Sequence, residues 1–508
     1  MALIFDFGNY ILYAAGLIAL LFIRKKLSSY LVIRAIIAQN GCKPPRKYPH
    51  RDPVWGTDLM KKRVKAVNEG RQMALFMEQF NGIGKTFEEN FFGTRVINTI
   101  EVPNIQQVSA LGFEDYGKPA QNFFKPFLGD GVLSLDGKAW RHSRDIVKPI
   151  FSRSELSDVD TLSFHVDRFL ALIPSDGSTI NLQEPLHKLF LDLSTEFLFG
   201  QSIDAQLPHD PNNSKGFLKA FNGALAGVGK RRVAGKLQFI YAFDKSWKGD
   251  INDVYAYVDA HVKRALNEGP VEKESTGDGR TTRRHILLDE MVKHIKDPIK
   301  LRYQLMNVFM PGRDTTSVLL ANSLFHLARN PEIWTQLRAE SLALGEKPLT
   351  FEVLKSLHSF RNVLHESLRL QGPAGRVQRL ALKNTILPLG GGPDGKSPVF
   401  VRQGDVVALN TWGPNHDKDI WGDDVYEFKP QRFVDRRMTW DFTPFLGGPR
   451  ICPAQQQVLT QSVYLLVRMT RKFVRIENRD PVLEYVEMVR MTTESRNGVK
   501  VALFTTGA

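Results

Sequence analysis

Apolar residues return every three or four positions along most of this chain, the period of helices with one buried face. The pattern predicts helices over residues 57–80, 158–173, 182–199, 251–267, 285–294, 360–370 and 455–470. The longest candidate covers 298–329: Asp297 can cap it, Pro298 suits a first helical position, and Asn330-Pro331 stops it. Strand-like runs are few and short, at 95–102, 385–389, 399–401, 405–409 and 499–504. Residues 269–284 are polar, charged and Gly-rich, so an exposed loop is expected there. With no internal repeat and no second linker, residues 51–508 read as one large domain, mainly α with a small β region.

The N-terminus departs from this periodicity. Residues 7–23 are 17 consecutive uncharged positions, the lower limit for a bilayer-spanning helix. Arg24, Lys25 and Lys26 follow at once. A cleaved signal peptide carries its positive charge before the apolar run and a small-residue cleavage site after it. The order here is the reverse, so residues 1–26 are expected to form a single-pass membrane anchor with everything beyond Arg24 on the cytoplasmic side. Residues 27–38 are apolar enough to extend the anchor or to lie in the membrane interface. Pro44, Pro45, Pro49 and Pro53 then interrupt any helix, and 27–50 reads as an interfacial segment and a stiff basic hinge.

Composition narrows the class. Hydrophobic residues make up 43% and charged residues 24% of 508, close to globular averages, which excludes a disordered, collagen-like or coiled-coil chain. A mean hydropathy of −0.23 excludes a polytopic membrane protein. The net charge of +14 suits nucleic acid, anionic lipid or an acidic protein partner, but no nucleic-acid-binding module is present. Cys42 and Cys452 are the only cysteines, too few for a disulfide framework or a four-thiolate metal site.

One of those cysteines sits in the strongest local signal, Phe445-Leu446-Gly447-Gly448-Pro449-Arg450-Ile451-Cys452-Pro453-Ala454. The glycines and proline favour a tight loop, and an amphipathic helix follows. A cysteine near a helix start, with Arg450 two residues earlier, is expected to have its thiol pKa lowered. A thiolate on a rigid loop is a good soft ligand for iron.

This loop resembles the Phe-x-x-Gly-x-Arg-x-Cys-x-Gly signature of the haem-thiolate monooxygenases, the cytochromes P450. The match lies at Phe445, Gly448, Arg450 and Cys452, with Ala454 where the family has glycine. The resemblance spans essentially the whole chain, because further motifs follow the family order. Glu366-Ser367-Leu368-Arg369 matches its Glu-x-x-Arg, with both charges on one helix face. Pro430-Gln431-Arg432-Phe433 matches its Pro-x-Arg-Phe, which implies that Arg432 joins Glu366 and Arg369 in a buried structural triad. Gly312-Arg313-Asp314-Thr315-Thr316 resembles its oxygen-binding stretch. An acid beside a hydroxyl can hold water and relay protons, so Asp314 and Thr315 are the expected catalytic pair. Pro311, where the family has a small residue, is expected to kink or break the long helix. Trp140 and Arg144 resemble the family's Trp-x-x-x-Arg, a spacing that puts an indole N–H and a guanidinium on one helix face, suited to a carboxylate. Family position adds Arg379, rather than Arg376, and Arg450 as contacts to the haem propionates.

The resemblance implies haem b bound through the Cys452 thiolate. It implies monooxygenation of an apolar substrate: a fatty acid, an alkane or a lipophilic specialised metabolite. The motifs look most like the fungal alkane and fatty-acid hydroxylase branch. The pocket lining is expected near 123–133, 307–315, 373–375 and 483–488. The string Gly390-Gly391-Gly392-Pro393-Asp394-Gly395 spells a dinucleotide fingerprint, but Pro393 interrupts it and no helix follows, so it reads as a turn-rich insert. Electrons are therefore expected from NADPH through a separate membrane-bound flavoprotein reductase. The family setting implies the endoplasmic reticulum membrane, with the catalytic domain facing the cytoplasm. Two competing readings are a haem-thiolate isomerase or dehydratase that needs no external electrons, and a non-enzymatic membrane-tethered binding protein. The intact acid–alcohol pair and cysteine loop argue against both.

Overall fold

The computed structural model describes residues 2–119, 123–151, 159–269 and 286–506, with side chains from residue 13 onward except those of Val233 and Lys236. The loop expected at 269–284 falls outside these residues, apart from Gly269. Helices form where the apolar period is clear: Val159–Ala171, Gln183–Phe199, Leu287–His294, His358–Gln371 and Gln455–Lys472.

The long helix runs Pro298–Leu327, and the Asp297 side chain accepts from the backbone N–H groups of Ile299 and Lys300 at 2.9 and 3.2 Å. It continues unbroken through Pro311. A break at that proline therefore does not occur; packing along most of the helix outweighs the one backbone bond that proline removes.

Several elements differ from the periodic reading, among them the helix Pro331–Ala343, which it did not anticipate. The helix expected over 57–80 is two helices, Thr57–Glu69 and Gln72–Ile83. Gly70 separates them at φ 71°, and a Cβ there would lie 2.5 Å from Val486 Cγ1. The helix expected from 251 starts earlier, at Lys245, because the Asp244 side chain caps it by accepting from Trp247 N. The helix Ser214–Ala234 has no counterpart in the reading, since its glycines and scattered basic residues blur the apolar face.

The main sheet is six-stranded and mixed, in the order Arg46–Lys47, Thr86–Phe91, Thr94–Thr99, Val406–Leu409, Val377–Ala381, Tyr116–Gly117. Thr86–Phe91 is acidic and not obviously a strand. It is held because Glu88 accepts from Arg95 across the hairpin and buried Glu89 accepts from Arg63, each at 2.7 Å. Thr385–Gly391 and Ser397–Val401 form a separate hairpin, which makes the glycine string a turn. The proline segment read as a hinge is tied to the body. Its strand pairs with Phe87 and Glu88, Lys43 N donates to Pro398 O at 2.9 Å, and Tyr48 is buried.

At the N-terminus a helix runs Ala2–Gln39. The apolar stretch 7–23 straddles the start of the described side chains, and among the described residues no helix is long and apolar enough to cross a membrane.

Two hydrophobic clusters organise the body. One gathers around Gln455–Lys472 and includes Leu319, Leu320 and Leu324 of the long helix. The other gathers around 214–266 and includes Leu301, Leu305 and Phe309 of the same helix. The polar stretch of the long helix lies between them.

Candidate active site

The cysteine loop is fixed by close backbone contacts. Leu446 takes a positive φ of 61° and its N–H donates to Thr443 O at 2.9 Å. Gly448 has φ 69°, and a Cβ there would lie 2.0 Å from Ser109 O, so only glycine fits. Cys452 N donates to Phe445 O at 3.0 Å, closing the loop under the side chain. The following helix starts only at Gln455, with Ala454 as its cap.

This placement corrects the expectation of a lowered thiol pKa. Burial pushes the Cys452 thiol up, and the Ala454 N–H and the Arg144 charge oppose that only in part. The helix start is too far along the chain to dominate. A metal ion would displace the proton on binding.

Cys452 lines a cavity of about 420 Å³. Its walls are mostly apolar: Val132 and Leu133 from the loop after 123, Phe190, Leu193 and Phe197 from Gln183–Phe199, and Val308 and Leu319 from the long helix. Pro373, Ala374 and Val377 close another side. The expected stretch 483–488 does not line this cavity; Tyr485 and Glu487 border a different one beside Met73. The contribution of Gln183–Phe199 was not anticipated, because nothing in its apolar period separates a core face from a pocket face.

Thr315 and Thr316 line the cavity and Asp314 does not. The Thr315 hydroxyl donates to Pro311 O at 3.0 Å. The Asp314 carboxylate lies behind it, its Oδ1 3.2 Å from Arg313 Nε and buried without a hydrogen-bond partner. Arg313 in turn donates to Asn222 Oδ1 at 3.1 Å.

Positive groups collect at one edge of the cavity: Lys118, Arg144, Arg379 and Arg450 all line it, with Trp140. Arg144 Nη2 donates to Ile451 O at 2.6 Å, joining its helix Gly137–Val147 to the cysteine loop. Arg450 lies 4.4 Å from the centroid of the Trp140 ring, donates to Asp136, and keeps Nη1 buried without a partner. Burial, together with Arg450 and Arg379, brings Lys118 down to about 7. Burial likewise brings Arg450 down to about 10, with Asp136 opposing. Lys118 was not among the expected residues; a single lysine in Gly117-Lys118-Pro119 carries no recognisable pattern.

Asp136 is the carboxylate that pairs with this cluster, so the charge is left in excess. A ligand with two carboxylates would balance it. A thiol, an apolar slot and such a cationic edge are the donor set that iron protoporphyrin IX needs, and the residues present fit that group.

Behind the cavity, Glu366 and Arg369 are fully buried and bidentate, at 2.7 and 2.8 Å. Arg369 Nη1 also donates to Asn415 O and Val425 O. Arg432 Nε lies 3.4 Å from Glu366 Oε1, and its Nη1 and Nη2 donate to Trp421 O and Asp424 O. None of the three lines the cavity. Arg376, just before the strand Val377–Ala381, does not line the cavity and donates to Asn98 Oδ1.

Comparison with known proteins gives a consistent answer. The chain is 39% identical to cytochrome P450 monooxygenase iccC of Talaromyces variabilis over 474 residues, covering 92% of this chain and 93% of that protein. It is 38% identical to cytochrome P450 monooxygenase apdE of Emericella nidulans over 470 residues, covering 92% and 89%. It is 37% identical to cytochrome P450 monooxygenase iliC of a Neonectria species over 473 residues, covering 91% and 92%. The family profile described as Cytochrome P450 matches residues 56–497. A buried thiol on a glycine-locked loop, a cavity edge built to take two carboxylates and these relatives lead to one assignment: the chain belongs to the cytochrome P450 family of haem monooxygenases.

Proposed function

We propose that this protein is a membrane-anchored monooxygenase that hydroxylates a lipophilic substrate with electrons from NADPH through a separate reductase. The observation that carries the reading is that the Cys452 thiol and the Thr315 hydroxyl line the same apolar cavity. Bound haem supplies the reductive activation of dioxygen and the transfer of one oxygen atom to substrate, the other leaving as water.

The remaining work belongs to the chain. Cys452 Sγ would be the protein's ligand to the haem iron. Trp140, Arg144, Arg379 and Arg450, with Lys118, line the cavity and would hold the two propionates. The Thr315 hydroxyl would orient water in the cavity, with the Asp314 carboxylate next to it in the chain. The triad of Glu366, Arg369 and Arg432 fixes the segment behind the cavity and takes no part in proton transfer.

The apolar walls suit a fatty acid, an alkane or a lipophilic specialised metabolite. Gly390–Gly395 forms a hairpin turn rather than a nucleotide site, which favours an external electron donor. The net charge of +14 suits docking to an acidic reductase face. The apolar run 7–23 and the basic residues after it support a membrane anchor of the endoplasmic reticulum type.

Adding carbon monoxide to the reduced haem-loaded protein tests the central assignment. A red-shifted Soret band is expected, and Cys452→Ser should abolish it. A normal band in that variant would remove Cys452 as the ligand. NADPH-dependent oxidation of a lipophilic substrate by the protein with a flavoprotein reductase tests the rest.

A further inference from the structure

A second cavity, of about 380 Å³, shares a wall with the Cys452 cavity. Among the described residues no side chain lines both, but one stretch of chain borders the two. Leu368, Pro373, Ala374 and Val377 line the Cys452 cavity, while Leu370, Gln371 and Gly372 line the second. Trp412 holds this stretch at two points: its indole N–H donates to Leu370 O at 2.8 Å and its backbone N–H to Gly375 O at 3.2 Å. Thr493 N donates to Pro373 O at 3.0 Å. Trp412 and Thr493 both line the second cavity.

The second cavity is aromatic and adaptable. The ring centroids of Trp412 and His416 lie 3.7 Å apart, and those of His416 and Tyr426 5.5 Å. Met73 and Met77, on the helix Gln72–Ile83, add flexible thioethers that can follow the shape of a ligand. Both carboxylates of the lining are engaged within the protein. Glu487 accepts from Met73 N with its two oxygens, at 2.9 and 3.1 Å, and Glu78 pairs with Arg71. The Tyr485 hydroxyl donates to Asn322 Oδ1 at 2.9 Å.

His416 is the exception. It is only 3% exposed. Its Nδ1 lies 3.0 Å from Trp412 O, which can only accept, so Nδ1 carries the hydrogen. Nε2 is then an acceptor, and it has no partner among the described residues. Burial lowers the ring to about 3 and keeps it neutral. A buried acceptor without a donor is unfavourable, and the N–H or O–H of a ligand would satisfy it.

We propose that this cavity is a second small-molecule site, which holds a neutral, flat lipophilic compound with its O–H or N–H donated to His416 Nε2 while the Cys452 cavity is separately occupied. Its volume is that of a ligand pocket, and the row of Trp412, His416 and Tyr426 suits a flat ring system. The site goes beyond the monooxygenase reading and does not rest on it, because its lining is distinct from that of the Cys452 cavity.

Equilibrium dialysis tests it, with the haem-loaded full chain in phosphatidylcholine vesicles measured against protein-free vesicles. The probe is 2-naphthol, and saturating clotrimazole, an azole that ligates haem iron, fills the Cys452 cavity. One saturable equivalent of 2-naphthol per chain is expected to remain. His416→Phe should weaken it ~5-fold, the scale of one neutral hydrogen bond, while the affinity for naphthalene, which has no donor, and the carbon monoxide spectrum stay unchanged. Should His416→Phe not fold, Tyr426→Ala carries the test, because Tyr426 is 61% exposed and its side chain makes no hydrogen bond among the described residues. It should weaken both probes ~5-fold through the lost ring contact. No saturable binding to the clotrimazole-filled protein, an unchanged 2-naphthol affinity in the folded variant, or equal loss of both probes in His416→Phe would overturn the site. Failure of clotrimazole to ligate the haem would instead count against the monooxygenase reading, and the variants would still locate the 2-naphthol site.

Discussion

Single side chains decide the chemistry here. Thr315 offers a hydroxyl to the cavity while its own proton is donated to Pro311 O, so its oxygen is free to accept from water. Thr315→Ala keeps every cationic contact and the cysteine loop. The variant is expected to take up haem normally but to turn electrons into hydrogen peroxide, with product per NADPH falling ~10-fold or more. Measuring NADPH, product and peroxide together checks this, and full coupling would reject the relay. Cys452 and Thr315 were readable from sequence because each lies in a local motif. Lys118 was not: it reaches the cavity edge only through the fold and is held there by a bond to Leu133 O. The state of the Cys452 thiol was misjudged for a similar reason. A helix start is visible in sequence, but burial is not.

At the scale of elements, the Glu366 helix shows how a weak motif becomes a strong constraint. Glu-x-x-Arg on a surface helix contributes little. Here both groups are fully buried, and Arg369 also ties three backbone carbonyls, of Asn415, Val425 and Glu427, to its helix. Arg369→Met leaves the Glu366 carboxylate buried without its bidentate partner. A loss of roughly 3–5 kcal/mol is expected, read by denaturant unfolding of the haem-loaded protein. Adding Glu366→Gln should recover part of the loss, because the buried charge is then gone. An additive double variant would mean that the pair is not coupled. Element boundaries were legible where caps and apolar period agreed, as at Asp297 and Gln455. They were lost where tertiary contacts decided, as at Gly70 pressed against Val486 and at the acidic strand Thr86–Phe91 neutralised by arginines.

Across the whole molecule, the long helix joins two hydrophobic cores and gives its polar middle to the cavity between them. The same dense packing traps histidines. Burial lowers His416 to about 3 and His261, His326 and His365 to about 4. His326 stacks on Phe428 at 4.4 Å, and His365 sits against the Phe433 and Phe442 rings with Nδ1 buried and unpartnered. In the unfolded chain these groups titrate near ~6.5. Between that value and about 4 the unfolded state binds more protons than the folded one, so stability rises with pH and falls on acidification. Each such histidine contributes a slope of up to ~1.4 kcal/mol per pH unit. Glu101, Asp192 and Glu487, raised by burial, act in the opposite sense in the carboxylate range and blunt the effect at lower pH. Unfolding measured from pH 7 to 5.5 should therefore show a steep loss of stability. His365→Phe removes one proton-binding site from the unfolded state and fills an aromatic niche. Its slope should be shallower than that of the parent by up to ~1.4 kcal/mol per pH unit, and two parallel curves would show that His365 is not buried in its neutral form.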